Sequence, residues 1–289
     1  MQTSPVTGNK LKNIQLSAPG FDPSATADKI LAIVLKNDGY CFCIGEGAHK
    51  KVVAAQAAFW PEEQQKQHPS DRLAWLMQSE ALVGKLYARV QVGLASYRFT
   101  LVPAAVYQDG TGTDYFESVH KRSLDEQLNR DSLKHTEAEL IYGLAYGLLG
   151  AVRLRFPSAG IRSLAGVLTE YLFTKAVASE QLYVQMREKE LLIWAYKKQK
   201  LQLLNSLYVE TDEDVLYHSL NTRKQLGLDQ AGICLLETGV DQKSLVNLLT
   251  AQFSHCVSLC PGEELALGFE LAKLEKGALT DALALLCVS

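Results

Sequence analysis

Residues 200–239, KLQLLNSLYVETDEDVLYHSLNTRKQLGLDQAGICLLETG, spell strand, helix, strand in close succession, and that order confines the chain to the α/β class. Leu201, Leu203 and Asn205 alternate with Gln202, Leu204 and Ser206 and lead into Leu207, Tyr208 and Val209, the pattern of a largely buried strand. Thr211 then offers an oxygen to the orphan amides of a helix start, with Asp214 three residues on as its capping-box partner. Asp212, Glu213 and Asp214 set negative charge at the positive end of the helix dipole, and Arg223 and Lys224 sit near its carbonyl end. Val215, Leu216, Leu220 and Leu226 form one apolar side, and Gly227 closes the helix as a left-handed cap. Ile233, Cys234, Leu235 and Leu236 are a short continuous apolar run, the mark of an inner strand.

The stretches around this unit fit the same grammar. ILAIVLK (residues 30–36) and YCFCIG (40–45) flank Asn37-Asp38-Gly39, a hairpin turn, and residues 51–60 complete a three-strand meander. Ser70 is expected to cap a helix carrying Leu73, Leu76, Met77, Ala81 and Leu82, residues 87–102 return to strand pattern, and Pro103 stops it. Residues 109–114 read as an exposed loop, 123–128 as a short helix, 139–142 as a strand followed by a helix through Phe156, and 161–163 as a strand leading into a helix over 164–177. The meander then returns: residues 181–186 and 190–196 pair around the charged turn Arg187, Glu188 and Lys189, and the 200–239 unit supplies the third strand, the helix and the fourth strand. A helix over 244–251, a strand over 257–259 and a helical or mixed apolar segment over 269–286 end the chain. The expected organisation is therefore a flexible tail over residues 1–28, a first domain over 29–178 and a second over 179–289, repeated in the order of elements and not in their residues.

Composition narrows the function classes. A chain of 289 residues, 47% hydrophobic and 21% charged, has ample core, and a formal net charge of −3 gives no general attraction for nucleic-acid phosphates or membrane surfaces. Lys197, Lys198 and Lys200 beside Trp194 and Tyr196 read as a solvated hairpin turn. The start of the chain lacks the basic and apolar regions of a secretory signal, and the most apolar window, residues 140–152, is shorter than the roughly 20 residues a bilayer requires, so a cytoplasmic location is expected. The six cysteines do not resemble the disulfide framework of a short secreted domain, and neither Cys41 and Cys43 nor His255, Cys256 and Cys260 show the paired spacing of a zinc site, so no metal site is expected. Asp212, Glu213 and Asp214 serve the helix start, and no Walker loop, nucleophile elbow or His-Glu-x-x-His pairing is present.

Two meanders, each followed by alternating helices and strands, resemble the actin-like ATPase architecture of two ribonuclease H-like domains. Thr100-Leu101-Val102-Pro103, Leu204-Asn205-Ser206, Tyr208, Thr211, Glu213-Asp214, Tyr217 and Gln225-Leu226 look like those of a domain-of-unknown-function family from Bacteroidetes with that duplicated fold. The resemblance implies mixed sheets with helices on both faces and leaves the chemistry open. Working actin-like ATPases carry an acidic residue and a glycine at the first hairpin of each domain; here Val34 and Lys36 stand at those positions in the first half, and residues 186–190 hold no glycine in the second. The strands also lack the carboxylates of a two-metal nuclease, since residues 30–44 contain only Asp38 and residues 181–186 none. Thr238 and Gly239, after the buried strand, are the candidate remnant of an adenine-contact loop. The expected function is thus a binding or scaffold module that has lost nucleotide hydrolysis, with no catalytic residues, no resident cofactor and a protein partner. The alternative is an actin-like protein that retains ATP and magnesium between its halves.

Overall fold

The computed structural model describes residues 13–47, 51–175, 180–270 and 273–288. The elements run β1 (Asn13–Ser17), β2 (Ile30–Leu35), β3 (Gly39–Glu46), β4 (Lys51–Phe59), α1 (Glu62–Gln65), α2 (Pro69–Ser79), β5 (Arg89–Leu94), β6 (Phe99–Pro103), α3 (Gly112–Glu117), β7 (Glu126–Leu133), β8 (Ala138–Ala145), α4 (Leu148–Arg155), β9 (Gly160–Ser163) and α5 (Leu164–Lys175). They continue with β10 (Glu180–Arg187), β11 (Glu190–Lys197), β12 (Lys200–Tyr208), α6 (Asp212–Gln225), β13 (Gly232–Leu236), α7 (Lys243–Thr250), β14 (Cys256–Leu259) and α8 (Lys273–Cys287).

Two of the sheets share one plan. In the first the order is β1-β4-β3-β2-β5-β9, and in the second β12-β11-β10-β13-β14. Each contains an antiparallel meander whose first strand, β2 or β10, then pairs in parallel with the strand that follows a helix. The inner strands β2 and β3 are buried along nearly their whole length, as strands covered on both faces must be. A third sheet, β6-β8-β7, is antiparallel and interrupts the first plan between β5 and β9.

Two helices tie the sheets together. Every residue of α5 from Leu164 to Leu172 is buried, the signature of a helix covered on all sides. On one side it packs against β5, β7 and β9, and on the other it meets the second sheet, where Trp194 Nε1 donates to Thr169 Oγ1 (2.9 Å) and the Tyr196 hydroxyl to the Thr169 carbonyl (3.1 Å). The C-terminal α8 makes the reciprocal crossing: it follows the second sheet in sequence yet lies on β2, β3 and β5 of the first, beside α5. Parity of the strands decides what faces this shared layer. Tyr183, Trp194 and Tyr196 join its core, whereas their neighbours Leu182, Val184, Ile193 and Ala195 turn to the separate core under α6 and α7.

Several sequence expectations need correction. Residues 13–17, assigned to the tail, form the edge strand β1, with Ile14 buried against β4; residues 1–12 lie outside the described residues, as do 176 and 177 of the expected 164–177 helix. The single strand expected over 87–102 is two strands in different sheets, because the chain leaves the first sheet after Leu94 and enters the third at Phe99. No part of the 123–128 segment is helix: it is a turn and the start of β7, where Glu126 pairs across to Ala145 and tertiary pairing overrides a weak local preference. The exposed loop over 109–114 already contains the first turn of α3. His68, not Ser70, caps α2: its ring nitrogen accepts from the Ser70 amide and Pro69 fills the first helical position. Arg187 is not a turn residue but the last residue of β10, and it is buried.

The capping box on α6 forms as the sequence indicates, Thr211 Oγ1 accepting from the Asp214 amide and Asp214 from the Thr211 amide. Thr211→Ala should therefore cost about 1 kcal/mol in urea unfolding. Backbone N–H donation from Glu210 and Thr211 holds the Asp214 carboxyl below the usual aspartate range. Its contribution is present above the ordinary value, about 3.9, and is lost as pH falls through the lowered one, so the stability gap between wild type and Asp214→Asn should close in acid.

Candidate functional site

The first hairpins of the two repeated plans, β2–β3 and β10–β11, bring their ends to one place. Lys36 follows Val34 by two residues and so shares its face toward α8; Arg187 follows Gln185 and Tyr183 in the same way. Both cations converge on Asp281, in the middle of α8 and fully buried. Arg187 approaches its carboxylate to 2.5 Å, Gln185 Nε2 donates to it at 3.1 Å, and Lys36 Nζ stands 3.9 Å away. Burial works against the Arg187 charge, but the carboxylates of Asp281 and Asp38 more than offset it, and its pKa lies above the usual arginine value.

Lys36, Asp38, Arg187 and Glu188 line a small pocket with Thr238, Gly239 and Ala278, and its free volume is about 30 Å³. Thr238 is buried and its hydroxyl has no hydrogen-bond partner among the described residues. Gly239 has φ +75°, and a Cβ there would stand 2.6 Å from that of Ala278; Gly277 of α8 is equally tight, its Cβ meeting the Gly239 amide at 2.7 Å. The loop after β13 is thus pressed against the first turns of α8. A site for a ligand the size of a nucleotide usually offers several hundred cubic ångströms. The residues present do not fit a metal-bound triphosphate, because the space is too small and the two cations already have a carboxylate. Among the described residues no three His, Cys, Asp or Glu side chains gather as a metal-binding set; Cys41 and Cys43 are buried in β3, where burial raises both thiol pKa values.

A larger opening lies beside this pocket, outside the carboxyl ends of β2 and β5, the end at which ligands enter open α/β sheets. It is a groove of about 420 Å³ walled by Trp60, Arg72 and Leu73 on one side and by Glu126, Leu144 and Leu148 of the inserted segment on the other. Trp60 Nε1 donates to the Lys36 carbonyl (2.9 Å) and Arg72 to the Asn37 carbonyl (2.9 Å), which fixes the β2–β3 turn as one wall. Across it, Arg98 grips Glu126 with two parallel bonds, 2.8 and 3.1 Å. Gly143 makes that possible, since a Cβ there would overlap the Glu126 carboxylate. Glu190 of the second plan closes one end, its carboxyl held above the usual range by burial. Leu124, between the lining residues Ser123 and Asp125, is fully exposed, and Tyr146, next to Ala145, is 68% exposed. A wider hollow, about 880 Å³, lies between the third sheet and the start of β12.

A family model for "Protein of unknown function (DUF3822)" matches residues 18–255. The chain belongs to the DUF3822 family. No match was found among the curated proteins. Among solved structures, this DUF3822 chain is similar to a Bacteroides thetaiotaomicron protein with actin-like ATPase fold and unknown function, at 22% identity and a TM-score of 0.75, over 83% of this chain and 94% of the other. It is also similar to a chain of the PilM–PilN type IV pilus biogenesis complex, at 12% identity and a TM-score of 0.64, over 91% of this chain and 98% of the other. The DUF3822 chain therefore has the actin-like ATPase fold, as its sequence indicated.

Of the residues singled out from sequence, Thr238 and Gly239 do line the pocket between the two hairpins. Asp281 was missed. Its signal is the polar pair Thr280-Asp281 inside the apolar run ALTDALALL, where a charge on a buried face calls for partners. Removing one of those partners should be costly: Arg187→Leu is expected to lose about 3–5 kcal/mol in denaturant unfolding. The triple replacement Lys36→Met, Arg187→Leu and Asp281→Leu, with no charge left to desolvate, should recover most of that loss.

Proposed function

We propose that this protein is a non-catalytic binding or scaffold module of the cytoplasm, which has given up nucleotide hydrolysis and holds a protein segment in the groove beside its closed central pocket. The observation that carries this reading is the contrast in space: about 30 Å³ between the two hairpins against about 420 Å³ between the first sheet and the inserted segment. The groove offers what an extended segment requires: apolar walls at Trp60, Leu73, Leu144 and Leu148, charged groups at Arg72, Asp125 and Glu190 to fix its register, and exposed Leu124 and Tyr146 at the rim. Among the described residues no helix is long and apolar enough to cross a membrane, which is compatible with the cytoplasmic part of the proposal. The similar structure from the PilM–PilN complex comes from an assembly of proteins, which supports a protein as the occupant.

The unfolding midpoint should not move with millimolar ATP and magnesium, whereas a ligand at 100 times its dissociation constant would add about 2.7 kcal/mol. Tagged wild type recovered from native cells should retain a protein that the Leu124→Asp, Tyr146→Asp double variant loses. Both positions are exposed, so the variant's unfolding midpoint should match that of wild type. A saturable shift with ATP, or equal retention of the same proteins by both forms, would overturn the proposal.

A further inference from the structure

We propose that the two hairpins still form an anion site and that the chain fills it in cis: Asp281 is the resident anion, standing where a small tetrahedral oxyanion such as phosphate would otherwise bind. Three observations carry this. Lys36 and Arg187, one from the end of each meander's first strand, both reach the single buried carboxylate and both line the adjoining pocket. Two donors at the pocket are unused, because Arg187 Nε and the Thr238 hydroxyl are buried without hydrogen-bond partners among the described residues, and Arg187 and Thr238 are only 6% and 5% exposed; the buried Gln185 Oε1 is unpaired as well, and Asp38 and Glu188 bring carboxylates to the lining. The pocket also has room for two further oxygens, since its 30 Å³ corresponds to about two water-sized spheres. A carboxylate supplies two of the four oxygens of a phosphate, and the unused donors and space correspond to the rest.

The geometry also explains why an acid stands in the middle of an otherwise apolar helix. Leu279, Ala282, Leu283, Ala284, Leu285 and Leu286 around it are all buried. An ionised side chain is kept at such a position only when it is paired. Here it pairs with cations at the ends of strands that belong to different sheets, and so joins the two halves.

The inference rests on the reading that wild type takes no nucleotide, and the test separates the two. Asp281→Ala should unfold at a lower temperature than wild type in sodium chloride. Inorganic phosphate should then raise its midpoint progressively, by an equal step for each tenfold increase above the dissociation constant, while chloride of the same ionic strength does not. Wild type should show only the general rise that phosphate gives by exclusion from protein surfaces, and Asp281→Ala combined with Arg187→Met should fall back to that same rise. If Asp281→Ala folds only in phosphate, that too supports the proposal. Equal responses of wild type and variant to phosphate, a response that survives the loss of Arg187, or a variant that stays unfolded in both salts would overturn it. An ATP-dependent shift in wild type would instead sink the functional reading on which it rests.

Discussion

The structure depends on a layer of two helices clamped between two sheets. α5 ends the first repeat and α8 the second, yet each is covered partly by the sheet of the other. Burying a leucine fully is worth about 1.5–3 kcal/mol, and α8 alone buries Leu279, Leu283, Leu285 and Leu286. Several of the polar groups in this layer are paired across it. Thr169 accepts from Trp194 while donating to the Ala165 carbonyl, and Asp281 receives Gln185 and Arg187.

That clamp determines which openings remain. The end of β13 is held against α8 closely enough that Gly239 and Gly277 have no room for a Cβ, and the hairpins of the two halves meet through a shared ion cluster. The space where the two hairpins meet is thereby reduced to a small pocket. The inserted segment is free of this constraint, and it stands away from the first sheet to leave the groove beside Trp60 and Arg72. A fold does not carry its chemistry with it, because a site depends on a few side chains and a fold on many.

How legible the molecule was from its sequence follows the range of the interactions. Thr211 and Asp214 announce the α6 start because a capping box is a contact between neighbours in the chain. The meander turns were readable for the same reason, the Asn37-Asp38-Gly39 turn being closed by the Lys36 amide on the Gly39 carbonyl. Residues 123–128 misled because the strand that organises them, β8, comes later in the chain and lends them a conformation their own sequence does not favour. Arg187 misled more deeply: next to Glu188 and Lys189 it looks like one charge of a solvated turn, whereas strand parity places it with Tyr183 and Gln185 on a buried face.

By itself the sequence determined the alternation of strands and helices, the repetition of the meander and the capping of α6, because each is a matter of period or of local chemistry. Only the tertiary structure decided that Lys36, Arg187 and Asp281 meet, and that a groove opens beside the inserted segment while little space is left between the two hairpins. The reason is distance along the chain. These groups come from the beginning, the middle and the end of the sequence, and no local pattern can specify an encounter that exists only once α8 has folded back across the first sheet.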